Sequence, residues 1–350
     1  MRGSVEANIS EQGPLLAGYP ERRPCFHRRH SLTTTSRLTT SRLPDAAPSR
    51  TPARAPVLKQ SHAQERLVLF VFLAPAVLFL LITSVYPLLN SLRLSFFSWN
   101  MMIPFSRPQW FGLGNYTRLL GDQEFWNSVK ATFIFVLAAV SIELVLGMVL
   151  AILATSNVHA MGPIRTILLF PLMMTPVVAG VLWRNLFHSS YGVINNIIGL
   201  VGIPAQTWLG NPAEALPAVI TVEIWQQLPV VAFVLAAGIS SLPVDMYKAA
   251  AVDGASWWQS FRMITLPLLK PVVLVVLLLR IMDAFKVFDI VFMLTYGGPG
   301  QKTEVLSLLI YKTGLKFLQI GQASAMSWLF LVFIFIISFF FIRELQQGEG

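Results

Sequence analysis

Six apolar stretches constrain this chain more than any other feature, because each is long enough to cross about 30 Å of hydrocarbon as a helix. They cover residues 67–90, 128–154, 164–187, 215–240, 272–296 and 322–342. None alternates apolar and polar residues as a barrel strand must. The pattern predicts an all-α integral membrane protein, a six-transmembrane-helix bundle, with an extended amphipathic segment at 91–99 after the first span. Composition agrees: 55% of the residues are hydrophobic and 12% charged, against about 25% charged in soluble domains. So few charges could not solvate the surface of a globule of this size.

Basic residues exceed acidic ones by nine, and eleven of the 26 Lys and Arg precede residue 67. Residues 1–62 are rich in Ser, Thr, Pro and Arg, include the tandem repeat TTSRL-TTSRL (Thr34 to Leu43), and show no apolar period. Such a segment buries too little apolar surface to offset its ordering entropy, so it reads as a disordered basic tail, with a transit peptide as the alternative. The charge suits the anionic cytoplasmic leaflet rather than nucleic acid. Orientation follows, with both termini in the cytoplasm. The loop 188–214, expected outside, has no Lys or Arg, while 241–271, expected inside, has Lys248, Arg262 and Lys270. The last outer loop runs against this bias with Lys302, Lys312 and Lys316. One cysteine, Cys25, excludes an internal disulfide, and His159 and His188 have no metal-ligand spacing.

The inner loop 242–271 carries more than a connection needs. Pro243 and Asp245 suit the first turn of a helix. Ala249, Ala250 and Ala251 continue it with side chains short enough for another backbone to approach. Gly254 can take the left-handed conformation that ends it. Ser256 and Gln259 form a capping box for a second short helix with an apolar stripe of Trp257, Trp258, Phe261 and Ile264, expected to stop at Pro267 and Pro271. Two readings are open: a hairpin resting on lipid headgroups, or a knob that docks a cytoplasmic partner.

Residues AAAVDGA (Ala249 to Ala255) followed by FRMITLPLLKP (Phe261 to Pro271) resemble the cytoplasmic EAA loop of permease subunits in bacterial ATP-binding-cassette (ABC) importers. The segments FGLGNY (Phe111 to Tyr116), FKVFDIVFMLTYGGPG (Phe285 to Gly300) and GQASAMS (Gly321 to Ser327) are similar to the maltose- and trehalose-transporter branch. The resemblance covers about residues 65–345 and implies the type I, MetI-like permease class in a prokaryotic cytoplasmic membrane. It implies Lys248, Ala249, Ala250, Ala251, Asp253, Gly254 and Ala255 as the surface coupled to an ATPase. Lys248 departs from the pattern, since that position is usually Glu. The implied partners are a second permease, an ATPase dimer, an extracytoplasmic sugar-binding protein and a sugar substrate. ATP and magnesium belong to the ATPase. This chain has no G-x-x-x-x-G-K-[ST] motif, because neither Lys-Thr pair, at Lys302 and Lys312, follows the required glycine. No cofactor is expected on it.

Charges inside spans point to a pathway. The fifth span carries Arg280, Asp283, Lys286 and Asp289 at three-residue steps, either a self-neutralising ladder or, with Phe285 and Phe288, a sugar route. The fourth carries Glu223, Trp225, Gln226 and Gln227 before Pro229, either interhelical hydrogen bonds or substrate contacts. Glu143 and Arg184 read as lone structural charges. The competing substrate is a glycerol phosphodiester or phosphate ester. A gradient-driven secondary transporter would show matched internal repeats, and none is visible. An enzyme would need a nucleophile–base constellation, and none emerges.

Overall fold

A computed structural model of the chain describes residues 62–155 and 161–347. The tail expected over 1–62 therefore lies, apart from His62, outside the described residues, as do Cys25 and His159.

The first span is one helical rod. Helix α1 (His62–Leu80) passes through a wide π turn, Leu81–Val85, into α2 (Tyr86–Ser95). The sequence predicts an extended segment from residue 91, but the helix continues to Ser95 because tertiary bonds hold its end. Ser95 is fully buried, its hydroxyl lies 2.7 Å from Tyr116 Oη, and Asn115 Nδ2 donates to Ser95 O and Phe97 O. Only then does a short strand, β1 (Phe97–Ser98), pair antiparallel with β2 (Gln109–Trp110). Helix α3 (Gly114–Leu120) supplies Asn115 and Tyr116 and leads into α4 (Gln123–Thr155), the second span.

The third span is broken where the apolar pattern predicts a continuous rod. Helices α5 (Met161–Leu172) and α6 (Pro176–Leu186) meet at 106° across a short gap. Pro176 stands at the first turn of α6, and Thr175 before it is extended, as the residue preceding proline prefers. Gln226 Nε2 donates to Met174 O at 3.0 Å, satisfying a carbonyl that the break frees. Helix α7 (Val193–Leu200) and a loop lead to α8 (Ala215–Ser240), whose bounds coincide with the expected span.

After α9 (Val244–Val252) the chain turns into α10 (Trp257–Ser260), which continues through a π turn, Phe261–Thr265, into α11 (Leu266–Phe285). The second short helix of the loop is thus the foot of the fifth span, and the prolines do not end it. The π turn absorbs the missing donor of Pro267: the Leu266 N–H bonds back five residues to Phe261 O. The span then stops at Phe285, short of the expected 296. Phe288 is non-helical, and α12 (Asp289–Leu294) begins a new direction. Helix α13 (Leu306–Tyr311), a π turn Lys312–Lys316 and α14 (Ile320–Gln347) complete the fold.

Among the described residues, five helices are long and apolar enough to cross a membrane, and the bent pair makes six. Helix α8 is the hub, with 56% of its apolar window buried, whereas the first span has 0%. Helix α4 packs along α8, and α11 lies against both. Phe135, Ala139, Val219, Val222, Ile290 and Leu308 close the main core between them. Ala151, Val231, Leu235 and Leu269 form a second cluster toward the C-terminal end of α4.

Candidate functional site

Helix α9 stands almost free of the bundle. None of its residues is buried, and Val252 is 88% exposed. Its end is a Schellman turn: Ala255 N–H donates to Ala250 O at 2.9 Å and Gly254 N–H to Ala251 O at 3.2 Å. Gly254 takes φ +74°, in the left-handed region, and a Cβ there would meet no other atom. The sequence-predicted capping box forms, with Ser256 N–H donating to Gln259 Oε1 and Gln259 N–H to Ser256 Oγ. Trp257 and Phe261 stack at 5.6 Å, and both tryptophans remain exposed.

One side chain ties α9 to the fifth span. Tyr247 Oη lies 2.9 Å from Thr265 Oγ1 in the π turn. Beneath that bond a cleft of about 480 Å³ separates α9 from Ile152 and Thr155 of α4 and Ile239 of α8. Lys248 Nζ is 2.8 Å from Asp245 Oδ1, with both side chains exposed, so it pairs within its own helix. An exposed pair of this kind contributes at most about 1 kcal/mol. Ala249, Ala251 and Asp253 are exposed, while Ala250 and Ala255 are half-buried.

Mid-bundle, the structure assembles a polar centre that the sequence divides among three spans. Arg280 Nε donates to Glu143 Oε2 at 2.8 Å and Nη2 to Glu143 Oε1 at 3.2 Å. Nη2 also donates to Glu223 Oε1 at 2.8 Å, and all three residues are buried. Glu143 is therefore not a lone charge, and Arg280 makes its closest contacts to other helices, with Asp283 Oδ2 of its own helix 4.0 Å from its Nη1. The ladder forms from Arg280 through Asp283 to Lys286, the last pair at 3.1 Å, and breaks only beyond it, where Lys286 caps α11 and Asp289 opens α12 in a new direction.

The remaining candidates divide by exposure. Asp283, Lys286 and Asp289 are exposed, Trp225 and Gln227 half-buried, and Glu223 and Gln226 buried. Trp225 meets Trp183 edge-on at 5.5 Å. Phe285, expected to offer a ring to a sugar, is 3% exposed and packs edge-on to Phe133 and Phe333. Phe288 is half-buried against Phe292 and Tyr311. Arg184 is exposed in the last turn of α6, where a cation suits the helix dipole. His188 stacks on Tyr191. No group of three metal-ligating side chains occurs among the described residues. Sequence reasoning missed the ion pairs Lys312 Nζ to Glu304 Oε1 at 2.8 Å, with Glu304 1% exposed, and Lys270 Nζ to Glu344 Oε1 at 3.6 Å.

A free-standing helix ending in a Schellman glycine and feeding a span is a local geometry, and comparison with known proteins supplies its context. Residues 124–347 match the family described as "Binding-protein-dependent transport system inner membrane component". The chain belongs to this family. As a permease of the ABC importer class it is 36% identical over 273 residues to the trehalose/maltose transport system permease protein MalF of Thermococcus litoralis, covering 77% of this chain and 90% of that one. It is 32% identical over 283 residues to the trehalose transport system permease protein SugA of Mycobacterium tuberculosis, covering 81% and 90%. Among solved structures, the permease is similar to a chain of a bacterial ABC transporter involved in the import of the acidic polysaccharide alginate. That match has TM-score 0.72 and 24% identity, covering 82% of this chain and 97% of the other, and it shows the shared fold. The permease is thus a multi-pass inner-membrane protein, and its sequence relatives include sugar permeases.

Proposed function

We propose that this permease is one of two membrane subunits of an ATP-driven importer for a neutral sugar, and that α9 docks on a separate cytoplasmic ATPase. The observation that carries the reading is the isolation of α9. An unburied helix with Val244 and Val252 exposed about 80° apart on one side presents an apolar face for a protein partner. Its rigid turn and the Tyr247–Thr265 bond connect any movement of that face to the foot of α11. ATP binding would then draw α9 and its counterpart on the second permease together and reorient the spans, with an extracytoplasmic binding protein delivering the sugar.

This reading places α9 and both termini on the cytoplasmic side. Lys312, which counts against that orientation in a tally of loop charges, is neutralised by Glu304. A neutral substrate is favoured over a phosphate ester because the mid-bundle cations are engaged: Arg280 by two carboxylates and Lys286 by Asp283. The candidates for contact with the sugar are Trp225, Gln227, Asp283, Lys286 and Asp289, the less buried members of the polar set, with the amide, carboxylates and ammonium matching hydroxyl donors and acceptors.

Reconstitution of the permease with its partner subunits in proteoliposomes tests the reading. ATP should drive uptake of trehalose or maltose, and Val252→Glu should abolish it while the permease pair still assembles. Absence of a copurifying ATPase, or unaltered uptake by Val252→Glu, would overturn the docking role.

A further inference from the structure

Seven lysines lie among the described residues. Four of them, Lys248, Lys270, Lys286 and Lys312, have a carboxylate oxygen at 3.6 Å or less. Lys316 stands over the rings of Tyr296 and Phe317, at 5.1 and 5.6 Å. Lys130 and Lys302 have neither kind of partner among the described residues, and both are exposed. Far apart in the chain, these two line the same cleft of about 340 Å³, together with Asn127, Pro212, Pro217 and Gln301.

The cleft is held open by contacts of its own. Helix α4 has 33 residues, about 50 Å of helix against about 30 Å of hydrocarbon. Its polar first turn, with Gln123, Glu124 and Asn127, extends beyond the hydrocarbon, and Lys130, one turn on, reaches the same level with its long side chain. Gln301 Nε2 donates to Glu124 Oε1 at 2.8 Å, which ties the turn carrying Lys302 to this end of α4. That carboxylate therefore engages the amide and pairs with neither lysine. The turn is closed by Lys302 N–H donating to Pro299 O at 3.1 Å and Glu304 N–H to Gln301 O at 3.2 Å. With both termini in the cytoplasm, this end of α4 is extracytoplasmic. Lysine there runs against the usual placement of positive charge, and Lys302 is the one lysine of its loop that no carboxylate or ring accounts for.

Two uncompensated ammonium groups on one rim select an anionic partner. A neutral sugar would gain no charge–charge attraction from them. Because both are exposed rather than enclosed, they suit complementarity across a protein–protein rim and the steering of a charged surface toward it. We propose that this cleft receives an acidic edge of the extracytoplasmic binding protein, with Lys130 and Lys302 paired to its carboxylates. The assignment rests on the reading of the permease as a sugar importer fed by such a protein.

Titration of the permease complex in nanodiscs with its binding protein, loaded with trehalose or maltose, tests this at low and at physiological salt. Lys130→Glu and Lys302→Glu should each weaken the affinity about tenfold at low salt, the scale of turning one exposed attraction into a repulsion. Each should also flatten the salt dependence with assembly of the complex unchanged, and Lys302→Arg should bind as wild type does. A carbodiimide, which joins lysine amines directly to carboxylates, should link Lys130 or Lys302 to an Asp or Glu of the binding protein. Wild-type affinity in both Glu variants, or links formed by other lysines alone, would overturn the surface. An effect of the variants that needs anionic lipid in the nanodisc would assign the lysines to headgroups and overturn it too. If the binding protein does not bind the wild-type complex, the importer reading fails and the surface with it. If it binds and the variants match wild type, the surface alone fails.

Discussion

Arg280 of α11 grips Glu143 of α4 with two nitrogens, at 2.8 and 3.2 Å, across 137 residues of chain, and one of those nitrogens also holds Glu223 of α8 at 2.8 Å. A single guanidinium thereby pins three mutually packed spans. Charge-assisted bonds of this kind are short and directional, so α4, α8 and α11 are held as one body at this level.

Arg280→Met should therefore leave two buried carboxylates without a counter-charge and destabilise the permease by about 3–5 kcal/mol. Thermal unfolding in detergent would show a large loss of folded protein. Replacing all three partners together, with Glu143→Leu, Glu223→Leu and Arg280→Met, should recover most of it. Failure of the triple variant to recover would mean that the triad does more than satisfy itself.

At Gly254 the expected effects separate strain from surface chemistry. The left-handed φ makes any side chain unfavourable there by about 1 kcal/mol, but the surrounding space is open. Gly254→Ala should insert, assemble and retain most uptake. Gly254→Asp adds charge at the proposed docking face and should abolish ATP-driven uptake with insertion intact, as measured in vesicles.

The bond between Tyr247 and Thr265 can be removed without disturbing packing. Tyr247→Phe should leave assembly unchanged while lowering the amount of sugar moved per ATP hydrolysed several-fold, because α9 could shift without moving the foot of α11. A parallel assay of uptake and ATP hydrolysis reads that ratio. An unchanged ratio would show that the π turn follows α9 by other contacts.

Lys312→Met should cost about 3–5 kcal/mol of stability, since Glu304 would be left buried with an uncompensated charge. Adding Glu304→Met should restore the thermal midpoint to near wild type. Lys302→Met, at an exposed position in the same loop, should change it little.

Gly321 marks a close approach of α14 to the strand after the first span. A Cβ at this position would stand 2.0 Å from Phe97 O, a backbone atom that cannot rotate away. Gly321→Ala should force the two segments apart and reduce folded yield by size-exclusion chromatography, whereas Gly254→Ala, with open space around it, should not.

Much of this was legible in the residues. Helix α8 follows its apolar run to the residue, and the Ser256–Gln259 box and the Gly254 turn form as their side chains dictate, because those signals are local. The third span misleads because apolar content says nothing about direction. Pro176 hints at a break, but the bend is held by Gln226, fifty-two residues away. The fifth span misleads in the opposite sense: its prolines look like stops, and a π turn carries the helix past them. Glu143 looks solitary for the same reason, since its partner lies on another helix and pairing across helices depends on rotation and register.

The sequence by itself determined the class, the bounds of α8 and the capped turn at Gly254, because hydrophobic length, capping and turn chemistry act within a few residues of chain. The tertiary structure decided which charges meet, where the rods bend, and which aromatic rings are buried and which line a cleft. Those outcomes depend on how helices rotate against one another, and no single helix carries that information in its own residues.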